Sequence, residues 1–395
     1  MELFVGTFNF PYIYTLSFDA RLAHLNVTHV SHATGPHAWL SFAPNQKTLY
    51  AAAWDPSSVA AYRSQRDGPF HTLELLDTKP VANPPGYVVA SDSYLYSVGG
   101  ATGEAFHVDG DGALGDLAQQ LEFTTGGGTN GSEPGGSGGA GLRFGAHGVD
   151  LSPDGHTLYV GDIGSNAVWT FSVSEEANGS SAALTDQQKN RVTREDDGPR
   201  HTWPHPNGNI LYVIQEHANM VDVFRVSKHR DGTVEDLEHL QGASVLPPGK
   251  NISDYWADEV RFSTGPPGHI PKYLFTSTRA HNASLKGYVS AFELDSKGHL
   301  VRTEAIDRWE TPTSGGIANA IEPAPWVAGA SPNVQYLAMT DDAAGKVYIL
   351  GFDGARIREV SEATLEIPAP DREKFNGTVR AATAVWVAPV RGPAE

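Results

Sequence analysis

The chain has 395 residues, 40% of them hydrophobic, with 46 acidic against 28 basic side chains and a formal net charge of -18. That balance excludes nucleic acid and anionic membrane surfaces as partners, because both are held by basic patches. With no cysteine in the chain, disulfides, thiolate metal sites and cysteine nucleophiles are excluded too.

The opening MELFVGTFNFPYIYTLSF has no basic segment ahead of an apolar one and reads as strand, turn, strand rather than a leader. No apolar run reaches the roughly 18 residues of a membrane helix. From there a short apolar run, a turn and a Tyr beside another large apolar residue recur six times. The tyrosines are Tyr50, Tyr96, Tyr159, Tyr212, Tyr273 and Tyr336, at spacings of 46, 63, 53, 61 and 63. A loose period of roughly 55 with alternating apolar residues marks a blade-type β-repeat, not a helical array. Gly 42 and Pro 26 fit many short strands joined by turns.

The clearest copy, HGVDLSPDGHTLYVGDIGSNAVWTFSV, predicts strands over 147–152, 156–161 and 167–173. In the third, Trp169, Phe171 and Val173 face one way and Thr170 and Ser172 the other. The same order recurs in ILYVIQEHANMVDVFRV, YLFTSTRAHNASLKGYVSAFEL and YLAMTDDAAGKVYILGF. Two stretches leave the period: a glycine-rich loop insertion over 126–141 and a polar loop insertion over 174–198. Leftover strands over 2–6 and 382–388 supply a further blade shared between the termini. The predicted fold is all-β: a seven-bladed β-propeller of four-stranded antiparallel blades, one domain over 1–395, its ring closed by the N- and C-terminal strands.

The repeat also aligns side chains. His147 and Arg200 each stand six residues before a turn proline, Pro153 and Pro206, and so enter the innermost strand of their blades. Glu216 and Arg279 stand where second strands end. The start of a first strand and the end of a second share one edge, so all four converge at one channel mouth. His and Glu transfer protons, and two Arg forks bind carboxylates. Each has a blander reading: His147 as a hydrogen-bonded structural residue, Arg200 paired to Asp196–Asp197, Glu216 and Arg279 as an ion pair between blades. Asp341, Asp342, His37, His201, His205 and His217 are weaker candidates near the same edge.

Several motif matches lack their context. His201 and His205 spell H-x-x-x-H but lie roughly 13 Å apart on a strand. Asp109 and Asp111 open like an EF-hand loop, with Leu114 where its glycine belongs. Gly126, Gly128 and Gly131 spell G-x-G-x-x-G, and Ser137 sits in G-x-S-x-G, neither between a strand and a helix.

The strings GAHGVDLSPDG, YVIQEHAN, FTSTRAHN, TPTSGGIANAIEPAPW and AMTDDAAGKVYI resemble the fungal 3-carboxy-cis,cis-muconate cyclase family over nearly the whole chain. These are seven-bladed propeller lactonizing enzymes related to bacterial propeller 6-phosphogluconolactonases. The resemblance implies that His147, Arg200, Glu216 and Arg279 form the active site, with Arg200, Arg279 and Asn319 binding substrate. It implies no metal or organic cofactor. The implied reaction is intramolecular addition of a carboxylate to a conjugated double bond, giving a γ-lactone from an anionic polycarboxylate. His147 is the first choice for proton transfer; Glu216 would orient His147 or an Arg, or share that role. Ile317, six residues before Pro323, stands where the family has His. The rivals are a lactone hydrolase of the 6-phosphogluconolactonase kind and a non-catalytic secreted propeller. Six N-x-[S/T] sequons, at Asn26, Asn130, Asn178, Asn251, Asn282 and Asn376, exceed the two or so that chance supplies and favour secretion. The expected location is nevertheless cytoplasmic, and a homo-oligomer is compatible with the sequence.

Overall fold

Short alternating runs separated by Gly, Pro and Asp turns can only bury their apolar faces by stacking sheet on sheet, and the chain does so in a ring. The computed structural model describes residues 1–123, 145–174, 183–327 and 333–388. Among these, every strand belongs to one of seven four-stranded antiparallel sheets. We number the blades from the one that begins at His37. In blade 3 the chain runs outward through Ala146–Leu151, Thr157–Asp162, Ala167–Val173 and Leu184–Arg191. Blade 7 joins the termini: its inner strand Ala381–Trp386 pairs with Glu2–Thr7, so the ring closes as expected.

One expectation along the chain needs correction. The 174–198 stretch is not all loop, because Leu184–Arg191 is the outer strand of blade 3. Only Leu184 and Asn190 of this strand are buried, so its TDQQKNR sequence shows no apolar alternation. The 126–141 segment, with Ser137 and the Gly126–Gly128–Gly131 match, lies outside the described residues, as do residues 175–182 with Asn178. The Asp109–Asp111 stretch is a turn between the third and fourth strands of blade 2, closed by Gly112 N donating to Asp109 O at 2.8 Å. Gly112 has φ 90°, a conformation that favours glycine.

That turn explains the marker tyrosines. Tyr50 is fully buried and its hydroxyl donates to Gly112 O of the next blade at 3.0 Å. Tyr212 likewise reaches Gly298 O, also in a positive-φ turn of the next blade, at 2.7 Å. Each such ring buries enough apolar surface to contribute about 1.5–3 kcal/mol while its polar tip ties blade to blade. The six tyrosines are not all equivalent, however. Asp162 pairs with Ala146 in blade 3 as Thr278 pairs with Ala257 in blade 5. Phe275 therefore takes the place of Tyr159, and Tyr273 stands one pleat earlier on the same face. Tyr336 is displaced by the same two residues in blade 6, where Ala338 occupies the Tyr159 position.

Candidate active site

One irregularity of the inner strands builds the site. In blade 3, Ala146 pairs with Asp162 and Gly148 with Gly161, leaving His147 as the extra residue of a β-bulge. The same bulge ejects Arg200 in blade 4, Asp258 in blade 5, Ala38 in blade 1 and Ala382 in blade 7. A bulge re-aims the unpaired side chain, and all five line one pocket at the channel mouth. On the second strands, the residues that follow Thr7, Ala53, Gln215 and Thr278, the partners of the residue before each bulge, complete a second ring: Phe8, Trp54, Glu216 and Arg279 line the same pocket. The pocket and its opening to solvent together span about 620 Å³ not filled by protein atoms.

At its centre four charges alternate. Arg200 Nε lies 2.8 Å from Glu216 Oε2, and Arg200 Nη2 lies 2.9 Å from Asp258 Oδ1. Arg279 closes the ring, with Nη2 3.4 Å from Glu216 Oε1 and Nη1 3.2 Å from Asp258 Oδ1. Arg279 Nη1 also donates to Ile317 O, and its guanidinium stands 5.0 Å over the Trp256 ring. Arg200 and Arg279 are each 6% exposed, and Glu216 and Asp258 are almost wholly buried. The expected ion pair between Glu216 and Arg279 therefore exists, as one side of a larger ring. Arg200 does not take Asp196 or Asp197. Arg194 holds Asp197 at 2.6 Å, and His217 meets Asp196 at 2.9 Å.

His147 sits beside this ring, half-buried. Its Nδ1 lies 3.1 Å from His201 Nε2, and His201 Nδ1 lies 3.0 Å from Glu259 Oε1. Burial, reinforced by Arg200 and by neighbouring His201 and Arg279, holds His147 well below the usual histidine range. Burial and the adjacent Arg200 and Arg261 do the same to His201. Glu259 is pushed up to about 7 by burial, against the opposing pull of Arg261 and Arg200. Both imidazoles are thereby biased toward the neutral form.

The remaining expected residues lie elsewhere. Asn319, not Ile317, occupies the position of His147 in blade 6. Ile321 pairs with Met339 there, so Pro323 falls within the strand and not in the turn after it. Counting from that proline shifted the alignment by two. Asn319 is fully buried and donates through Nδ2 to Thr278 O at 3.0 Å, while its backbone N–H donates to Asp258. It supports the ring from beneath and is not among the residues lining the pocket. Ile317 forms part of the wall. Asp342 is held by Arg380 at 2.6 Å and by Ile317 N at 2.8 Å. Asp341 accepts from Thr313 Oγ1 at 2.7 Å. His37 is buried against Tyr62 Oη at 2.7 Å and pushed down to about 4 by burial. His205 lies at the other end of its strand and accepts from Asn207 N at 3.2 Å. Asp258 was missed because blade 5 has Thr264 where blades 1, 3 and 4 have Pro44, Pro153 and Pro206. Counting six back from Thr264 would have found it.

The family model described as "Lactonase, 7-bladed beta-propeller" matches residues 2–306. The chain belongs to this family. It is 38% identical to muconate cycloisomerase 1 of Cutaneotrichosporon cutaneum, over 98% of both chains. It is 25% identical to the carboxy-cis,cis-muconate cyclase of Neurospora crassa, covering 93% of this chain and 96% of that one. The solved structure of the periplasmic gluconolactonase of Pseudomonas aeruginosa superposes with a TM-score of 0.70 at 18% identity, covering 98% and 99% of the two chains, a likeness of fold alone.

Proposed function

We propose that this chain is a lactonizing cycloisomerase that closes a muconate-like polycarboxylate to a γ-lactone at the pocket of His147, Arg200, Glu216 and Arg279. The observation that carries the reading is the placement of the His147 imidazole beside two buried guanidiniums in one pocket. It stands in a chain 38% identical to a muconate cycloisomerase.

In such a closure a lone pair of one substrate carboxylate forms the new C–O bond. The π pair of the attacked double bond moves toward the carbon next to the second carboxylate. That carbon then takes a proton, so each lactone formed at neutral pH consumes one proton from solution. Arg200 and Arg279 face the charge that builds on the second carboxylate, where fixed donors in a water-poor pocket act most strongly. Glu216 touches both guanidiniums and holds them in place; we assign it this positioning role. His147 has Nδ1 engaged by His201, which leaves Nε2 as its proton-donating nitrogen toward substrate. The ring of two Arg, one Glu and one Asp carries no net charge. Recognition of the anion therefore rests on directed N–H groups, not on local positive potential. Phe8, Trp54 and Ile317 supply apolar walls against the diene.

The test is conversion of cis,cis-muconate and of 3-carboxy-cis,cis-muconate, followed by loss of the diene ultraviolet band and identification of the lactone. Turnover of at least one, lost in His147→Gln, supports the reading. Hydrolysis of lactones with no cyclisation of either diene overturns it. The proposed location is the cytoplasm. The asparagines of four sequons, Asn26, Asn251, Asn282 and Asn376, are exposed, so native protein carrying glycans on them overturns that placement. Among the described residues, no helix is long and apolar enough to cross a membrane.

A further inference from the structure

The channel beneath the pocket is not filled with aliphatic side chains. One pleat below the charge ring, Trp39 stacks on Tyr87 at 3.8 Å between ring centroids, and both present their faces or edges to His201 at 5.1 and 5.0 Å. Glu259 lies in the same layer. The layer below holds Asp150, Arg261 and Glu322. Arg261 Nη1 meets Glu259 Oε1 at 2.5 Å, Nε meets Glu322 Oε2 at 2.9 Å, and Nη2 donates to Tyr87 Oη at 3.1 Å. Tyr87 Oη in turn donates to Asp150 Oδ1 at 3.1 Å. A second cavity at this far end is lined by Trp39, Tyr87, Asp150, Glu259, Arg261 and Glu322, among others. Glu259 lines both this cavity and the pocket of His147.

The geometry points to a proton relay along Glu259, His201 and His147 that feeds the site from the far end of the channel while substrate fills the near end. It rests on the cycloisomerase reading above. The path is continuous at hydrogen-bond distance: Glu259 Oε1 to His201 Nδ1 at 3.0 Å, then His201 Nε2 to His147 Nδ1 at 3.1 Å. In one transfer, His147 Nε2–H gives its proton to the substrate carbon as the C–O bond closes. His147 Nδ1 takes a proton from His201 Nε2, and His201 Nδ1 takes one from the carboxyl of Glu259. Both imidazoles begin and end neutral, changing only tautomer. Glu259 ends as carboxylate and recovers a proton from the far cavity, and the imidazoles return to their starting tautomers before the next turnover.

This resolves a difficulty in the site. Two histidines held neutral by burial and by adjacent guanidiniums have no imidazolium to spend, whereas a neutral imidazole chain needs only a proton source at its end. Glu259, raised to about 7 by burial, is such a source near neutral pH. The groups that face it are His201 from blade 4, Arg261 and Asp258 on its own strand, Arg200 above, and Tyr87, Asp150 and Glu322 around Arg261. Asp150, also raised to about 7 by burial, supplies a further protonatable carboxyl at the far cavity.

The test compares Glu259→Gln and Glu259→Asp with wild type. Glu259→Gln keeps the hydrogen bond but cannot release a proton, and Glu259→Asp keeps the charge beside Arg261 but draws back from His201. Both are expected to lower kcat by about 10²-fold with KM changed less than about twofold. Formate is expected to restore part of the rate of a Glu259→Ala variant. Wild-type kcat is expected to fall above neutral pH, as Glu259 loses its proton, and the fall is expected to vanish in Glu259→Gln. Wild-type kcat and pH profile in both variants overturn the relay. The relay is also read without substrate, by 15N NMR of the imidazoles: His147 and His201 are expected to change tautomer together near neutral pH in wild type and not in Glu259→Gln. If wild type cyclises neither diene, the function proposed above fails. The NMR result then decides the relay separately: no coupled tautomer change in wild type, or the same change in Glu259→Gln as in wild type, overturns it.

Discussion

Arg279→Lys separates what the ring of charges does for catalysis from what it does for the fold. Arg279 reaches Glu216, Asp258 and the Ile317 carbonyl through two nitrogens and stands 5.0 Å over the Trp256 ring. A lysine keeps the positive charge between the two buried carboxylates but presents one ammonium where there was a planar fork. The fold should lose only about 1 kcal/mol, the order of one neutralised contact. Arg279→Met removes the charge, leaves Glu216 and Asp258 sharing Arg200 alone, and should cost about 3–5 kcal/mol. Catalysis should show the opposite proportion. Losing a directed donor at the developing carboxylate charge removes about 2.7–4 kcal/mol of transition-state stabilisation, or ~10²–10³ in kcat. The assay is loss of the diene band at saturating substrate, beside denaturant unfolding of each variant. Arg279→Lys with kcat within about threefold of wild type would refute the assignment of this guanidinium to the transition state.

Further outcomes follow from the same geometry. His147→Gln should lower kcat by about 10²–10⁴-fold and leave the unfolding midpoint almost unchanged; equal losses in both would make His147 structural. The ring is neutral and the chain carries -18, so an anionic substrate meets a repulsive field. Raising ionic strength from about 0.02 to about 0.2 M should therefore lower KM, and a rise in KM would contradict a neutral site. Asp150, buried and raised to about 7, stabilises the fold when protonated, fully below its unfolded value and no longer above its folded one. Asp150→Asn should therefore gain stability relative to wild type as pH rises from about 4 to about 8, by a few kcal/mol. A constant difference in urea midpoints across that range would show that Asp150 is ionised throughout.

Much of this was legible in the sequence because a propeller repeats its own geometry. The turn prolines Pro153 and Pro206 mark the end of an inner strand, so counting back from them finds His147 and Arg200. The rule fails wherever a blade departs from the pattern. Blade 6 puts Pro323 inside its strand, which made Ile317 look like a lost histidine when Asn319 holds the position. Blade 5 replaces the proline with Thr264 and so hid Asp258, the residue that turns an ion pair into a closed ring. The bulge was invisible because one extra residue leaves no mark in polarity. Without it, His201 ranked only as a weaker candidate near the same edge, whereas the alternation that ejects Arg200 points His201 down the channel onto His147. Packing between blades, not the strand pattern, decides which polar groups meet there.

The most direct measurement is the lactone formed in D2O, examined by 1H NMR. A proton delivered by His147 from one fixed side of the pocket should give a single diastereomer carrying one deuteron at the carbon next to the free carboxylate. A mixture of both diastereomers, or a lactone with no deuteron at that carbon, would contradict an enzyme-held donor and with it the assignment of this site.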